Sequence, residues 1–389
     1  MTRARVVVVR GHQATPWELK PWDLMPERFS TSYLRTRGNM FDPSGLELEP
    51  RDARTVRDRL PRGRVFDLAM TVAGDRYLGL ENVLADADIV HAEELSYWFA
   101  ADVAKRRDDL GFKLVQTVWE TLPMLDAYRN GPARKNRRAV LDNTDLYLAA
   151  TERARDALLL EGAPAERIEV CPPGIDTARF AAAVELEPTP SEHVVLSAGR
   201  LVWEKGHHDV LRAVAAISRG VVGDVAVPRV LIVGKGPEEG RLKEHAADLG
   251  IGDRVEIVSL PYDEMPSAFA RASCMVLASL PSAQGPLQPF GSPRLFWEEQ
   301  FGMVIAEAMA ASLDLLVSTS GAIPEVAGPG AAYFAPGDWP GIARLLAAGP
   351  LSRPPGARVA HDPELLERYS ADAAAARLAA AYDRLLTST

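Results

Sequence analysis

From residue 194 onward, apolar runs of four or five residues alternate with helical stretches. This alternation restricts the chain to a parallel sheet covered on both faces. The runs fall at 194–198, 230–233, 255–258, 274–278 and 315–318, with helices predicted over 206–217, over 238–247 and from Met303 onward. The first half repeats the plan less regularly. Strands are predicted at 5–9, 89–91, 113–118, 146–149 and 168–171, and helices at 51–59, 95–107, 133–142 and 151–160. The expected fold class is α/β, with two Rossmann-like doubly wound domains facing across a cleft. Such sheets bind ligands outside the carboxyl ends of their strands. The predicted division is an N-terminal domain over 1–180, a Pro-containing linker over 181–193, a second domain over 194–362 and a last helical segment over 363–389.

A chain of 389 residues accommodates two domains of ordinary size. The net charge of −9 argues against nucleic acid as a partner. Two distant cysteines, Cys171 and Cys274, match no metal or redox spacing, so a reduced, cytoplasmic protein is expected. The first apolar run, 6–9, is too short for a signal peptide, and no later run is long enough to span a membrane.

The densest chemical signal is Glu-Gln-Phe-Gly-Met-Val-Ile-Ala-Glu-Ala-Met-Ala at 299–310. Met303 begins a strong helix-forming run, so Gly302 stands where the chain turns into a helix. The unpartnered N–H groups of that first turn attract anions. Glu299 lies just before the helix and Glu307 in its second turn, so one small ligand can touch both. A carboxylate accepts hydrogen bonds well from the paired hydroxyls of a ribose. After the 194–198 strand comes Gly199-Arg200-Leu201-Val202-Trp203-Glu204-Lys205-Gly206, whose two cations suit a diphosphate. Val233-Gly234-Lys235-Gly236-Pro237 is a second strand-to-helix loop, with Gly240 one position too late for a dinucleotide fingerprint.

These strings resemble the Glu-x7-Glu, Gly-Arg-Leu…Glu-Lys-Gly and Gly-x-Gly-Pro motifs of retaining glycosyltransferase family 4, the glycosyl transferases group 1 with the GT-B fold. Gly321-Ala322-Ile323-Pro324-Glu325 and Pro172-Pro173-Gly174-Ile175-Asp176 resemble two of its structural turns. The resemblance implies that Glu299 contacts the donor sugar, that Glu307 holds the ribose, and that Arg200 and Lys205 stabilise the leaving diphosphate. It also implies donor contacts from Phe301, Gly302, Met303 and Gly236, and a final helix that crosses back onto the N-terminal domain. The first domain departs from the family pattern. Gly11-His12-Gln13 stands where a double glycine is usual, and Trp119 where the family has a His that binds the donor sugar. Trp119 is either a stacking platform or core, and Glu120 is a substitute polar contact. His91 and Glu93, at and just after the end of the 89–91 strand, are further sugar or acceptor candidates together with Gly11.

The segment 280–298 reads as a lid over the cleft mouth, or as a decorative insertion. Arg129, Arg134, Lys135, Arg137 and Arg138 form either a solvated helix face or a contact for an anionic acceptor or the inner membrane face. The expected activity is transfer of a sugar from a UDP- or GDP-type nucleotide sugar to a hydroxyl acceptor (a glycan, lipid or small molecule), with retention and without a metal or other cofactor. The rivals are a sugar phosphorylase or nucleotide-sugar epimerase of the same fold, a nicotinamide-dependent oxidoreductase, and a non-catalytic nucleotide-sugar-binding protein. Asp86-x-Asp88, the one Asp-x-Asp pair in the chain, is expected to be a turn.

Overall fold

The computed structural model describes residues 3–43, 45–60, 63, 75–125, 131–282 and 297–387. The chain divides into two compact units, Met1–Ile175 with Arg368–Thr389, and Asp176–Glu367.

The first unit carries strands β1 (Ala4–Val8), β2 (Phe29–Thr36), β3 (Glu49–Thr55), β4 (Tyr77–Leu78), β5 (Ile89–Glu93), β6 (Lys113–Val118), β7 (Leu146–Ala149) and β8 (Ile168–Val170). Among the described residues they lie side by side in the order β4-β3-β2-β1-β5-β6-β7-β8, parallel throughout except for β3 with β4. Central β1 is buried on both faces, which explains its unbroken apolar run. Val7 and Val9 join one core cluster with Leu34, Phe99 and Tyr147. Val6 and Val8 join another with Leu19, Trp22 and Tyr382.

Tyr382 comes from the last helix, Ala371–Thr387, which therefore covers one face of the first unit's sheet. Trp22 Nε1 donates to the Tyr382 hydroxyl at 2.9 Å, and that hydroxyl lies 2.5 Å from His91 Nδ1. Because Tyr382 oxygen already accepts from Trp22, its own proton is free to go to His91. The ring then carries its proton on Nε2 and donates to Thr117 Oγ1, 2.6 Å away. Burial holds His91 well below the usual imidazole range, so it is neutral.

The chain leaves and re-enters this unit side by side. Ile175 N donates to Tyr369 O at 2.9 Å, and Ala371 N to Ile175 O at 2.8 Å. A Cβ on Gly174 would sit 2.6 Å from Ser370 O, so the Pro-Pro-Gly-Ile-Asp turn requires its glycine for this close approach.

The second unit carries β9 (Val194–Ala198), β10 (Arg229–Val233), β11 (Val255–Val258), β12 (Cys274–Leu277), β13 (Asp314–Ser318) and β14 (Ala332–Phe334). Its described strands are all parallel, in the order β11-β10-β9-β12-β13-β14. Helix His207–Ser218 presents Val210, Leu211, Val214 and Ile217 to a core containing Val195, Ile232, Val276 and Leu316.

Three local expectations need correcting. The helix predicted over 51–59 is in fact β3 followed by a short 3-10 turn, Arg57–Arg59. Its charged residues sit on a strand one place in from the sheet edge and find partners there. Arg51 binds Asp86 at 2.6 Å and Asp52 binds Arg35 at 2.8 Å, so pairing overrides propensity. The start of the predicted 181–193 linker is helical, within Thr177–Leu186, whose N-cap Asp176 accepts from Arg179 N at 3.2 Å. The last segment is two helices, Pro363–Arg368 and Ala371–Thr387, divided at the crossing. The elements Pro16–Asp23 and β2 escaped the sequence reading altogether.

Replacing Tyr382 by Phe should lower unfolding stability by about 1–3 kcal/mol, because it leaves the Trp22 N–H and a His91 nitrogen buried without partners. Urea unfolding followed by tryptophan fluorescence measures this, and an unchanged midpoint would contradict it.

Candidate functional site

In both sheets the strand order reverses once. The second unit runs outward from β9 to β11, then returns to place β12 against β9. Crevices open where the loops after two such neighbouring strands diverge, and these are the ligand sites of doubly wound sheets. The loop after β9 is Gly199–Gly206, and the segment after β12 leads to Glu299 and the helix Met303–Ala310.

Lys205 Nζ lies 2.6 Å from Glu299 Oε2, and Ser279 Oγ donates to the same oxygen at 2.6 Å. Glu299 is 5% exposed, so this is a nearly dry ion pair joining the two loops. The Lys205 ammonium also lies 5.2 Å from the Trp297 ring centre. The backbone of Glu299 is held from behind, its carbonyl accepting from Ala322 N at 2.8 Å. Thus the Gly321–Glu325 turn supports the site. Arg200 behaves differently. Its side chain is exposed and has no hydrogen-bond or ion-pair partner among the described residues.

The backbone at Arg200 is nevertheless fixed. His207 is buried, its Nε2 3.1 Å from Arg200 O and its Nδ1 2.8 Å from Ser197 Oγ. A carbonyl only accepts, so Nε2 carries the proton and Ser197 donates to Nδ1. Burial pushes the imidazole down to about 4, keeping it neutral. The neighbouring Gly-x-Gly-Pro loop packs backbone against backbone. Leu201 N donates to Lys235 O at 2.9 Å, and a Cβ on Gly236 would meet Leu201 O at 2.2 Å. Gly236 therefore serves loop packing.

Gly302 adopts φ +82° as the N-cap of Met303–Ala310, with no side chain capping that helix end. That helix follows the segment after β12, the strand that lies against β9. Glu307 points from the second turn, buried, with no hydrogen-bond or ion-pair partner among the described residues. Burial alone raises its carboxyl to about 7. Phe301 is 2% exposed and forms part of the packing, while Met303 is half-buried.

The first unit reverses between β1 and β5. Arg10 follows β1, Glu93 ends β5, and Trp119 follows β6. Arg10 Nε and Glu93 Oε2 are 3.2 Å apart, yet the N–H is badly aligned and makes no hydrogen bond. The Arg10 guanidinium packs 5.0 Å from the Trp22 ring centre. Glu18, from helix Pro16–Asp23, lines the same crevice as Arg10, Trp22 and Trp119. Desolvation, then the like charge of Glu93, lifts Glu18 to about 8. Burial also raises Glu93, against the opposing effects of Arg10 and a hydrogen bond from the Trp119 side chain. Glu94, at φ +60°, accepts from Trp119 N at 2.9 Å and so fixes where the indole begins.

Of the first-unit candidates, Trp119 and Glu93 meet at this crevice. His91 does not, because it is wholly buried and both ring nitrogens are satisfied by Tyr382 and Thr117. Glu120 turns back on its own loop, accepting from Thr121 N and Leu122 N, each at 2.9 Å. Gly11 is buried beneath Phe99, where a Cβ would sit 2.4 Å from the ring. Asp86 and Asp88 are absorbed by Arg51 and Arg5. In the basic helix, now Gly131–Asn143, Arg137 pairs with Glu161, whereas Arg134, Lys135 and Arg138 are exposed. Arg129 and most of the expected lid, 283–296, lie outside the described residues. Sequence reasoning missed Arg10, Glu18, Ser279 and His207. Arg10 and Ser279 are single polar residues just after a strand, whereas Glu18 sits inside a short helix and His207 opens one, so none belongs to a local motif that could have flagged it.

Comparison with known proteins agrees with the geometry. The family model described as Glycosyltransferase Family 4 matches residues 40–179, and that described as glycosyl transferases group 1 matches 181–348. A GDP-mannose-dependent alpha-(1-6)-phosphatidylinositol monomannoside mannosyltransferase of Mycobacterium tuberculosis is 30% identical over 215 residues, 53% of this chain and 50% of that protein. A D-inositol 3-phosphate glycosyltransferase of Nocardia farcinica is 30% identical over 265 residues, 63% of this chain and 54% of that one. The chain thus matches about half the length of these curated relatives. Two solved structures share the fold. The Anabaena protein HepE in complex with UDP has a TM-score of 0.70 at 15% identity, covering 98% of this chain and 100% of that one. Sucrose-phosphate synthase from Thermosynechococcus elongatus has a TM-score of 0.69 at 18% identity, with full coverage of both. With two family models accounting for both halves of the chain, and a matching pair of doubly wound units, this protein belongs to glycosyltransferase family 4, the glycosyl transferases group 1 of GT-B fold.

Proposed function

We propose that the protein transfers a sugar from a nucleoside-diphosphate sugar to a hydroxyl acceptor, with retention of configuration and without a metal. The observation that carries this reading is the array at the β9–β12 reversal. It comprises the Lys205–Glu299 pair, an uncapped helix N-terminus at Gly302, and the Arg200 cation and Glu307 carboxyl, which have no partner among the described residues. A diphosphate meets the exposed guanidinium of Arg200, the held ammonium of Lys205 and helix N–H groups, which favour the charge that develops as it leaves. Glu307 is a buried acceptor suited to the two hydroxyls of a ribose. Glu299, held by Lys205 and Ser279, is placed to receive hydroxyls of the donor sugar. Retention rests on the departing phosphate taking the acceptor's proton on the face of attack.

The relatives' names favour GDP-mannose or a UDP-sugar as donor. Among the described residues no helix is long and apolar enough to cross a membrane. Exposed Arg134, Lys135 and Arg138 suit peripheral contact with an anionic lipid surface, in keeping with the lipid-linked acceptor in one relative's name.

Arg200→Ala should lower kcat by about 10²–10³, the usual loss for one charge-stabilising group, with thermal stability unchanged. Lys205→Ala should lose turnover and stability together, because it leaves Glu299 buried and unpaired. Chelation with EDTA should leave wild-type turnover intact. Wild-type kinetics in Arg200→Ala, or loss of activity on chelation, would refute the assignment.

Nucleotide binding should follow the Glu307 carboxyl. Its raised value, about 7, means the free protein is increasingly protonated below that pH, whereas ribose hydroxyls bind the ionised form. Affinity for GDP or UDP should hold above pH 7 and fall below it by up to about tenfold per unit. Glu307→Gln should bind more weakly and show no such slope. Calorimetric titration across pH 5.5–8.5, a window of about one and a half units either side of that value, decides this, and a slope identical in the variant would contradict the ribose role.

A further inference from the structure

The crevice at the β1–β5 reversal is a built pocket that contains none of Arg200, Lys205, Glu299 and Glu307. Arg10, Glu18, Trp22, Thr117, Trp119 and Leu378 line it. It encloses about 30 Å³, room for roughly two waters at the ~10–15 Å³ each requires. A sugar ring is too large to enter, but a hydroxymethyl arm fits. Two indoles and a leucine offer apolar surface to C–H groups, while Arg10 and Glu18 offer polar atoms to a hydroxyl. Arg10 is 2% exposed, and its Nε is buried with no hydrogen bond. Its charge is already offset by Glu93, 3.2 Å away. A phosphate entering here would meet one neutralised cation and the carboxyls of Glu18 and Glu93.

We propose that this pocket is the acceptor subsite and that it seats the hydroxymethyl arm of an uncharged sugar or polyol, with Glu18 and Arg10 binding its hydroxyl and Trp22 and Trp119 packing on its carbon. This assignment of role rests on the transferase reading, but the binding it requires does not. Burial and the neighbouring Glu93 raise the Glu18 carboxyl to about 8, so it keeps its proton at neutral pH and donates to the hydroxyl. The inference separates this protein from a relative named for inositol 3-phosphate.

The test compares glucose and mannose with glucose 6-phosphate and mannose 6-phosphate, which differ only at that arm. Saturation-transfer NMR and tryptophan fluorescence on the whole protein should show the neutral hexoses binding at least tenfold more tightly than their phosphates. Glu18→Ala should weaken hexose binding at least tenfold, Glu18→Gln less, and Trp119→Phe should reduce the fluorescence change, while GDP and UDP affinity stays within twofold in all three. Phosphorylated sugars that bind equally well or better, hexoses that do not bind, or hexose affinity unchanged in Glu18→Ala would each overturn the proposal. Hexose binding that depends on Glu18, in a protein that binds no nucleotide sugar, would uphold the pocket and instead remove the transferase reading.

Discussion

The Lys205–Glu299 pair is the interaction on which the second unit's site depends. Taking two charges out of water is expensive, and a well-packed apolar pair would often be the more stable choice. What the pair achieves is positional. It ties the loop after β9 to the segment after β12 across the point where strand order reverses. It also leaves the ammonium in the crevice, held and ready. On the proposed reading, a diphosphate arriving there would find its cation already oriented, with little reorganisation left to make. The neutral His207 performs a similar task one step back, fixing the Arg200 carbonyl while the guanidinium is exposed.

The two units use the same topological opportunity with opposite chemistry. At the β9–β12 reversal the free side chain is a cation and the nearby helix adds partial positive charge. At the β1–β5 reversal the cation is cancelled and carboxyls with indoles remain. One crevice suits an anion and the other a neutral hydroxylated group. A donor carrying a diphosphate and an acceptor carrying a hydroxyl make those two demands. Glu307 adds a titration near neutrality to the donor side, because burial without a partner leaves its charge unstabilised until a ligand supplies hydrogen-bond donors.

The second unit was legible because its chemistry is packed into contiguous strings. Glu299, Gly302 and Glu307 lie within nine residues of one another, and Arg200 and Lys205 share one loop, so local sequence order carries the arrangement. Buried parallel strands such as 230–233 announced themselves by composition. The first unit was harder for physical reasons. Its β3 carries charged residues that look helical until Arg51 and Asp52 find partners on neighbouring elements. His91 reads as a strand-end ligand, yet it is closed off by Tyr382, 291 residues away in sequence. Glu18 belongs to a helix announced only by Thr15 as its cap and Pro16 as its first residue, and it meets Glu93 through folding alone.

The central claim is that the fixed charges at the β9–β12 reversal serve departure of a nucleoside diphosphate with retention. The most direct measurement is a proton NMR time course with GDP-mannose or UDP-glucose and a hexose acceptor, reading the anomeric signal of the first product. The account predicts that nucleoside diphosphate and glycoside appear in equal amounts and that the glycoside keeps the donor's α configuration. A β-configured first product, or sugar transfer without release of nucleoside diphosphate, would contradict it.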